Sequence, residues 1–169
     1  VQETNVARLL TQNSVKQEED FFVQGNKFLE NNRSEDAIAA YDKVVMAAPN
    51  NAEAWINRGN AFAALQRYGQ ALGSYDRAIA TQPNRDEAWY NRGNALSAMR
   101  LYQEAVISYD KAIAIKPEKY EAWINRGIAL ANLGSYSQAL VSYGKAIAIK
   151  PDKHQAYYNR ACTYALQKN

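Results

Sequence analysis

His154 and Cys162 are the single histidine and single cysteine of the sequence, the residue types that most often supply a base, a nucleophile or a soft metal ligand. They stand eight residues apart, about 12 Å along a helix, which is too far for a dyad. No cluster of His, Cys, Asp and Glu has ligand spacing, and the eight glycines form no phosphate-cradling loop but mark helix contacts and turns such as Gly134. The sequence reads as a non-enzyme, with no catalytic residue, no metal and no cofactor.

Chemistry of another kind recurs. Asn57, Asn91, Asn125 and Asn159 return every 34 residues, and Asn26, Asn60 and Asn94 stand one helical turn further on, on nearly the same face. Asparagine is a mediocre helix former, so its repeated use inside helices asks for a reason. Its amide carries one acceptor and two donors in a plane, which suits it to the C=O and N–H of an extended peptide. The same amides could instead bond across to the neighbouring repeat, and both readings stand. One position before the first series come Phe22, Ile56, Tyr90, Ile124 and Tyr158. Tyr90 and Tyr158 suit shallow pockets for a partner's side chains, whereas Ile56 suits packing between repeats. The candidate partner-binding set is Asn57, Asn60, Tyr90, Asn91, Asn94, Asn125, Tyr158 and Asn159.

Arg58, Arg92, Arg126 and Arg160 directly follow the amides, and Asp42, Asp76 and Asp110 recur at the same interval. We expect each arginine to lie over the stack and pair with one of these aspartates; the other use is a basic edge that grips a partner's carboxylates. Glu19, Glu53, Glu87 and Glu121 stand one turn before the amides. They would repel phosphates, which counts against single-stranded RNA, the competing ligand class.

The elements that position these residues follow from the period. The stretch Ala54–Asn60 returns with small changes at 88–94 and 122–128, and Trp55, Trp89 and Trp123, all the tryptophans, share the spacing with Pro49, Pro83, Pro117 and Pro151, all the prolines. Each unit holds two apolar stripes at helical spacing around a short polar break, a helix-turn-helix. Asn51 and Asn84 are N-cap candidates, the prolines end the second helices, and Lys116 and Lys150 fall in a last turn where a cation suits the dipole. Gly25, Gly59, Gly93 and Gly127 are expected to face Ala37, Ala71, Ala105 and Ala139, and the tryptophans to pack on Tyr41, Tyr75, Tyr109 and Tyr143. The boundaries are a lead-in or capping helix at 1–17, with an apolar patch of Val6, Leu9 and Leu10, then units at 18–51, 52–85, 86–119 and 120–153. A partial fifth unit or capping helix occupies 154–169, with Ala161 in the glycine position.

A net charge of +3 is too balanced to argue for nucleic acid or an anionic membrane, and no apolar run is long enough to span a bilayer. A soluble, cytoplasmic chain is favoured. Opening on Val1 and stopping after the first helix of a fifth unit, the sequence reads as a piece of a longer protein.

A 34-residue unit with Trp, then Gly and an apolar residue, then Ala, Tyr, Ala and Pro resembles the tetratricopeptide repeat (TPR) family over residues 18–169. The resemblance implies an all-α, right-handed superhelical solenoid of four full repeats plus a fifth first helix, its inner groove lined by the first helices. The amide series is similar to asparagine ladders in other helical solenoids. The arginine series departs from the family's usual leucine. The Lys, Asn and Arg clamp by which some members hold chaperone tails is absent, since Phe22, Ile56, Tyr90 and Glu87 stand in its lysine positions. The wording of the repeat resembles bacterial, especially cyanobacterial, members. The function expected is a protein-interaction scaffold binding an extended peptide or a helix of a partner protein in the concave groove, in assembly of a larger complex. Self-association through the C-terminal helix is a further possibility, and no small-molecule substrate or membrane insertion is expected.

Overall fold

The computed structural model describes residues 2–167, with side chains from residue 15 onward, and among these residues all regular structure is helical. Two compact units divide at Pro83. The first holds α1 (Gln2–Glu30), α2 (Ser34–Ala47), α3 (Ala52–Ala64) and α4 (Tyr68–Thr81); the second holds α5 (Asp86–Ala98), α6 (Tyr102–Ile115), α7 (Tyr120–Asn132), α8 (Tyr136–Ile149) and α9 (His154–Gln167). In α1 no break separates the stretch before residue 18 from the one after it. Val6, Leu9 and Leu10 lie on α1 outside the residues whose side chains are described.

Local chemistry sets the helix ends. Each first helix closes on a left-handed residue, Asn32, Gln66, Arg100 or Gly134. The next N–H reaches back to Phe28, Phe62, Leu96 or Leu130 to satisfy a terminal carbonyl. Only the fourth turn uses glycine for the left-handed conformation; the other three carry its small steric cost. Asn51 caps α3 by accepting from the Ala54 N–H at 3.0 Å. Asn84 does not cap α5: the equivalent of Asn51 in the 34-residue register is Arg85, which makes no side-chain cap bond. Lys116 and Lys150 lie just beyond the last turns, as the C-cap residues of α6 and α8.

The glycine positions serve tyrosine, not alanine. A Cβ added at Gly25, Gly59, Gly93 or Gly127 would stand 2.5–2.6 Å from a ring carbon of Tyr41, Tyr75, Tyr109 or Tyr143. These rings are almost wholly buried, so each glycine exists to admit one of them. Trp55 packs instead on Val44, Val45 and Ala54, and Trp123 on Ile124, Ala146 and Ala156. Their indole N–H groups donate to the carbonyls of Pro49 and Pro117 at 2.9 and 2.8 Å. Trp55 and Trp123 therefore fasten a first helix to the turn before it, and the tyrosines join the two helices of one repeat.

Candidate functional site

In the first unit, Asn26 on α1 and Asn57 on α3 meet. The Asn57 Nδ2 donates to Asn26 Oδ1 at 3.1 Å, and the same oxygen accepts the Tyr41 hydroxyl at 2.6 Å. Asn60 Oδ1 accepts the Tyr75 hydroxyl at 2.9 Å. Burial pushes the Tyr41 phenol up to about 12, opposed in part by the neighbouring Asn57 amide.

The second unit repeats the arrangement. Asn94 Oδ1 accepts both the Tyr109 hydroxyl and Asn125 Nδ2, each at 2.9 Å, and Asn125 Nδ2 also donates to the Tyr90 hydroxyl at 3.1 Å. The Tyr109 phenol is raised, first by burial and then by the nearby Tyr90, with Ser97 and Asn125 opposing. Asn91 is half-buried and engaged within the chain. A recess of ≈ 270 Å³ opens here, lined by Asn94, Ser97, Ala98, Tyr109, Asn125 and Ile128.

The amides thus bond across to their neighbours, and this fixes what they still offer. The oxygens of Asn26 and Asn94 are doubly occupied, which turns their Nδ2 donors outward. Asn57 and Asn125 spend Nδ2 internally, which leaves Oδ1 as a free acceptor. Of the side-chain nitrogens and oxygens without a partner among the described residues, Asn159 Nδ2 alone is buried, so the unused groups of the other four amides reach solvent.

Asn159 fails for a visible reason. Its counterpart one repeat back would be an asparagine in the position of Asn26, Asn60 and Asn94, but residue 128 is isoleucine, packed against the cluster of Ile124, Ala146 and Ala156. Burial also raises the Tyr143 phenol, with the neighbouring Thr163 side chain opposing in part. Among the apolar positions, Ile56 and Ile124 are buried core. Tyr90 is half-buried, 6.1 Å from the Tyr109 ring and with the Lys119 ammonium 4.7 Å from its centroid. Tyr158 is 70% exposed.

Arg58, Arg92 and Arg126 lie over the stack as expected; Arg160 has glycine, Gly144, where an aspartate partner would stand. Arg58 donates to Asp42 at 2.6 Å and to Ser74 at 2.9 Å; Arg126 donates to Asp110 at 2.6 Å and to Ser142 at 2.7 Å. Arg92 donates to Ser108 at 2.8 Å. The serines are wholly buried and pass their own protons to carbonyls one turn back. Sequence reasoning missed them, although the signal was present in the Ser-Tyr pairs at 74–75, 108–109 and 142–143.

Among the described residues no His, Cys, Asp and Glu side chains gather as a metal site, and no helix is long and apolar enough to cross a membrane. Models of the tetratricopeptide repeat match residues 22–86, 86–119 and 120–153, well over half of the sequence. The chain belongs to the tetratricopeptide repeat family. The TPR match describes a structural repeat and indicates no catalytic family. Crystal structures of MamA have the same fold: one is 27% identical, with 85% of this chain and 84% of that chain covered and a TM-score of 0.82. MamA from Desulfovibrio magneticus RS-1, at 18% identity, 90% and 86% coverage and a TM-score of 0.85, shares the fold. YrrB, described as a TPR protein with an unusual peptide-binding site, is 25% identical, with 88% and 77% covered and a TM-score of 0.77. No curated protein matches the sequence.

Proposed function

We propose that this TPR protein is an interaction scaffold that holds an extended segment of a partner protein against its asparagine-bearing first helices. The observation that carries the reading is the orientation of the amides: Asn125 Oδ1 is left to accept and Asn94 Nδ2 to donate, the complement of a peptide N–H and C=O. Because internal bonds lock both groups, little rotamer entropy is lost on binding. Asn26 and Asn57 present the same pair in the first unit. The exposed Tyr158 ring supplies contact for a side chain, the half-buried Tyr90 backs Asn125, and Asn60 and Asn91 continue the series; Asn159, with its donor buried, contributes least. A peptide-binding site described for YrrB supports the same ligand class.

Asn94→Asp tests this. The carboxylate keeps an oxygen for Tyr109 and Asn125 but replaces the outward donor with an acceptor. Peptides selected from a random library on the natural chain should bind Asn94→Asp at least about tenfold more weakly, with melting unchanged. Peptides indifferent to the substitution, or tighter selection of single-stranded RNA from a parallel pool, would overturn the reading.

A further inference from the structure

The recess between α5, α6 and α7 owes its room to small side chains. Two repeats back, in the first unit, the residues in register with its lining are Asn26, Leu29, Glu30, Tyr41, Asn57 and Asn60. The tyrosine and the facing pair of amides are kept, but Ser97 and Ala98 stand where the first unit has Leu29 and Glu30, and Ile128 where it has Asn60. Two small side chains thus take the place of a bulky and a charged one, and an apolar wall the place of a polar one. Ile128 is held there by packing on Ile124, Ala146 and Ala156. The electrostatics differ in the same sense. After burial, the charges of Glu53 and Glu30 raise the Tyr41 phenol, whereas Tyr109 is raised by burial and Tyr90 and opposed by Ser97 and Asn125, none of them charged.

What the recess can hold follows from what its walls have left. Asn94 Oδ1 is filled by the Tyr109 hydroxyl and Asn125 Nδ2. In the function proposed above, on which this inference rests, Asn94 Nδ2 and Asn125 Oδ1 take the partner's backbone. That leaves the Ala98 methyl, the Ile128 side chain and the Tyr109 ring, with no charged residue in the lining. A carboxylate or an ammonium would lose its water here and meet nothing to pair with, while an aliphatic side chain gains with each carbon it buries. The volume of ≈ 270 Å³ falls below the about 300–1,000 Å³ of small-molecule sites and suits a single side chain. We infer that the recess is a specificity pocket, taking one leucine-sized aliphatic side chain of the bound segment and rejecting charged ones. The amides alone would hold any sequence; Ser97, Ala98 and Ile128 choose among sequences.

The probes are the N-acetyl, N-methylamide derivatives of leucine, alanine and lysine, titrated into the full chain and followed by the amide resonances of Ser97, Ala98 and Ile128. The leucine derivative should shift these resonances and bind at least about tenfold more tightly than the alanine derivative, which lacks the isopropyl group, and than the lysine derivative. Ala98 is exposed at the end of α5, so substitutions there spare the fold. Ala98→Leu fills the recess and should abolish the difference between leucine and alanine with melting unchanged. Ala98→Glu supplies the charge that Glu30 gives the first unit and should invert the order in favour of lysine. Asn94→Asp separates the pocket from the backbone contact: it should weaken the leucine and alanine derivatives by the same factor, and if it weakens neither, the backbone contact falls while the leucine preference still supports the pocket. Equal binding of leucine and alanine by the natural chain, a preference for lysine, a leucine preference that persists in Ala98→Leu, or no shift of these resonances at the highest soluble probe concentration would each overturn the proposal.

Discussion

The side-chain nitrogen of Asn125 lies 2.9 Å from the side-chain oxygen of Asn94, joining two repeats through a pair of neutral amides. Removing it strands the Asn94 oxygen's second site and the Tyr90 hydroxyl, so Asn125→Ala should cost about 1–3 kcal/mol. The same change at Asn159, whose nitrogen is buried without a partner, removes an unmet donor and should cost less than about 0.5 kcal/mol or raise stability. Urea unfolding of both variants at an unchanged m-value checks the contrast.

Restoring the missing amide is the complementary experiment. Ile128→Asn gives Asn159 Nδ2 an acceptor but forfeits apolar contact with the cluster of Ile124, Ala146 and Ala156, so its net effect on stability is small. The informative quantity is the coupling: a double-mutant cycle with Asn159→Ala should return about 1 kcal/mol of favourable interaction between Asn159 and the introduced amide. Additive effects would remove the account of the orphaned donor.

Glycine to alanine in a helix interior ordinarily helps. Gly73 has nothing within 4 Å of an added Cβ, and Gly73→Ala should gain about 0.5–1 kcal/mol. Gly93→Ala drives its methyl to 2.6 Å from the Tyr109 ring, and should lose about 1–3 kcal/mol by overpacking despite the better propensity. Thermal melting of the two variants should move in opposite directions.

Alkaline pH should loosen the fold through its tyrosines. A phenol whose folded value is raised keeps its proton in the native state after the unfolded chain has lost it. The stability it contributes is thus complete below the ordinary value of 10.0 and is lost as pH rises toward about 12, the value for Tyr41. Tyr109 and Tyr143 are raised in the same direction. Urea midpoints should fall steeply above about pH 10, and Tyr41→Phe should make that decline shallower. An equal slope in the variant would show that Tyr41 does not carry this dependence.

The repeat, its two helices and the arginine–aspartate pairing were legible in the sequence because each rests on a period of identical residue types. What the period could not show is which side-chain atom meets which. Gly59 and Ala71 recur together, yet the ring that needs the glycine belongs to Tyr75, which comes beside Gly59 only once the two helices pack. The asparagines announced a shared surface, but that Asn57 spends its nitrogen on Asn26 depends on the offset between neighbouring first helices, which spacing alone does not contain. Asn84 was misplaced by one position because an asparagine after proline looks like a cap in either register.

Several fastenings among the described residues reach backward. Arg58 holds Asp42, Asn57 holds Asn26, and Lys119 holds Asp86 at 2.7 Å. With Gly144 and Ile128 in the positions that should receive Arg160 and Asn159, α9 loses both of the grips that secure the earlier first helices. We therefore expect it to open without the rest, so its backbone amides should exchange with deuterium well before those of α7.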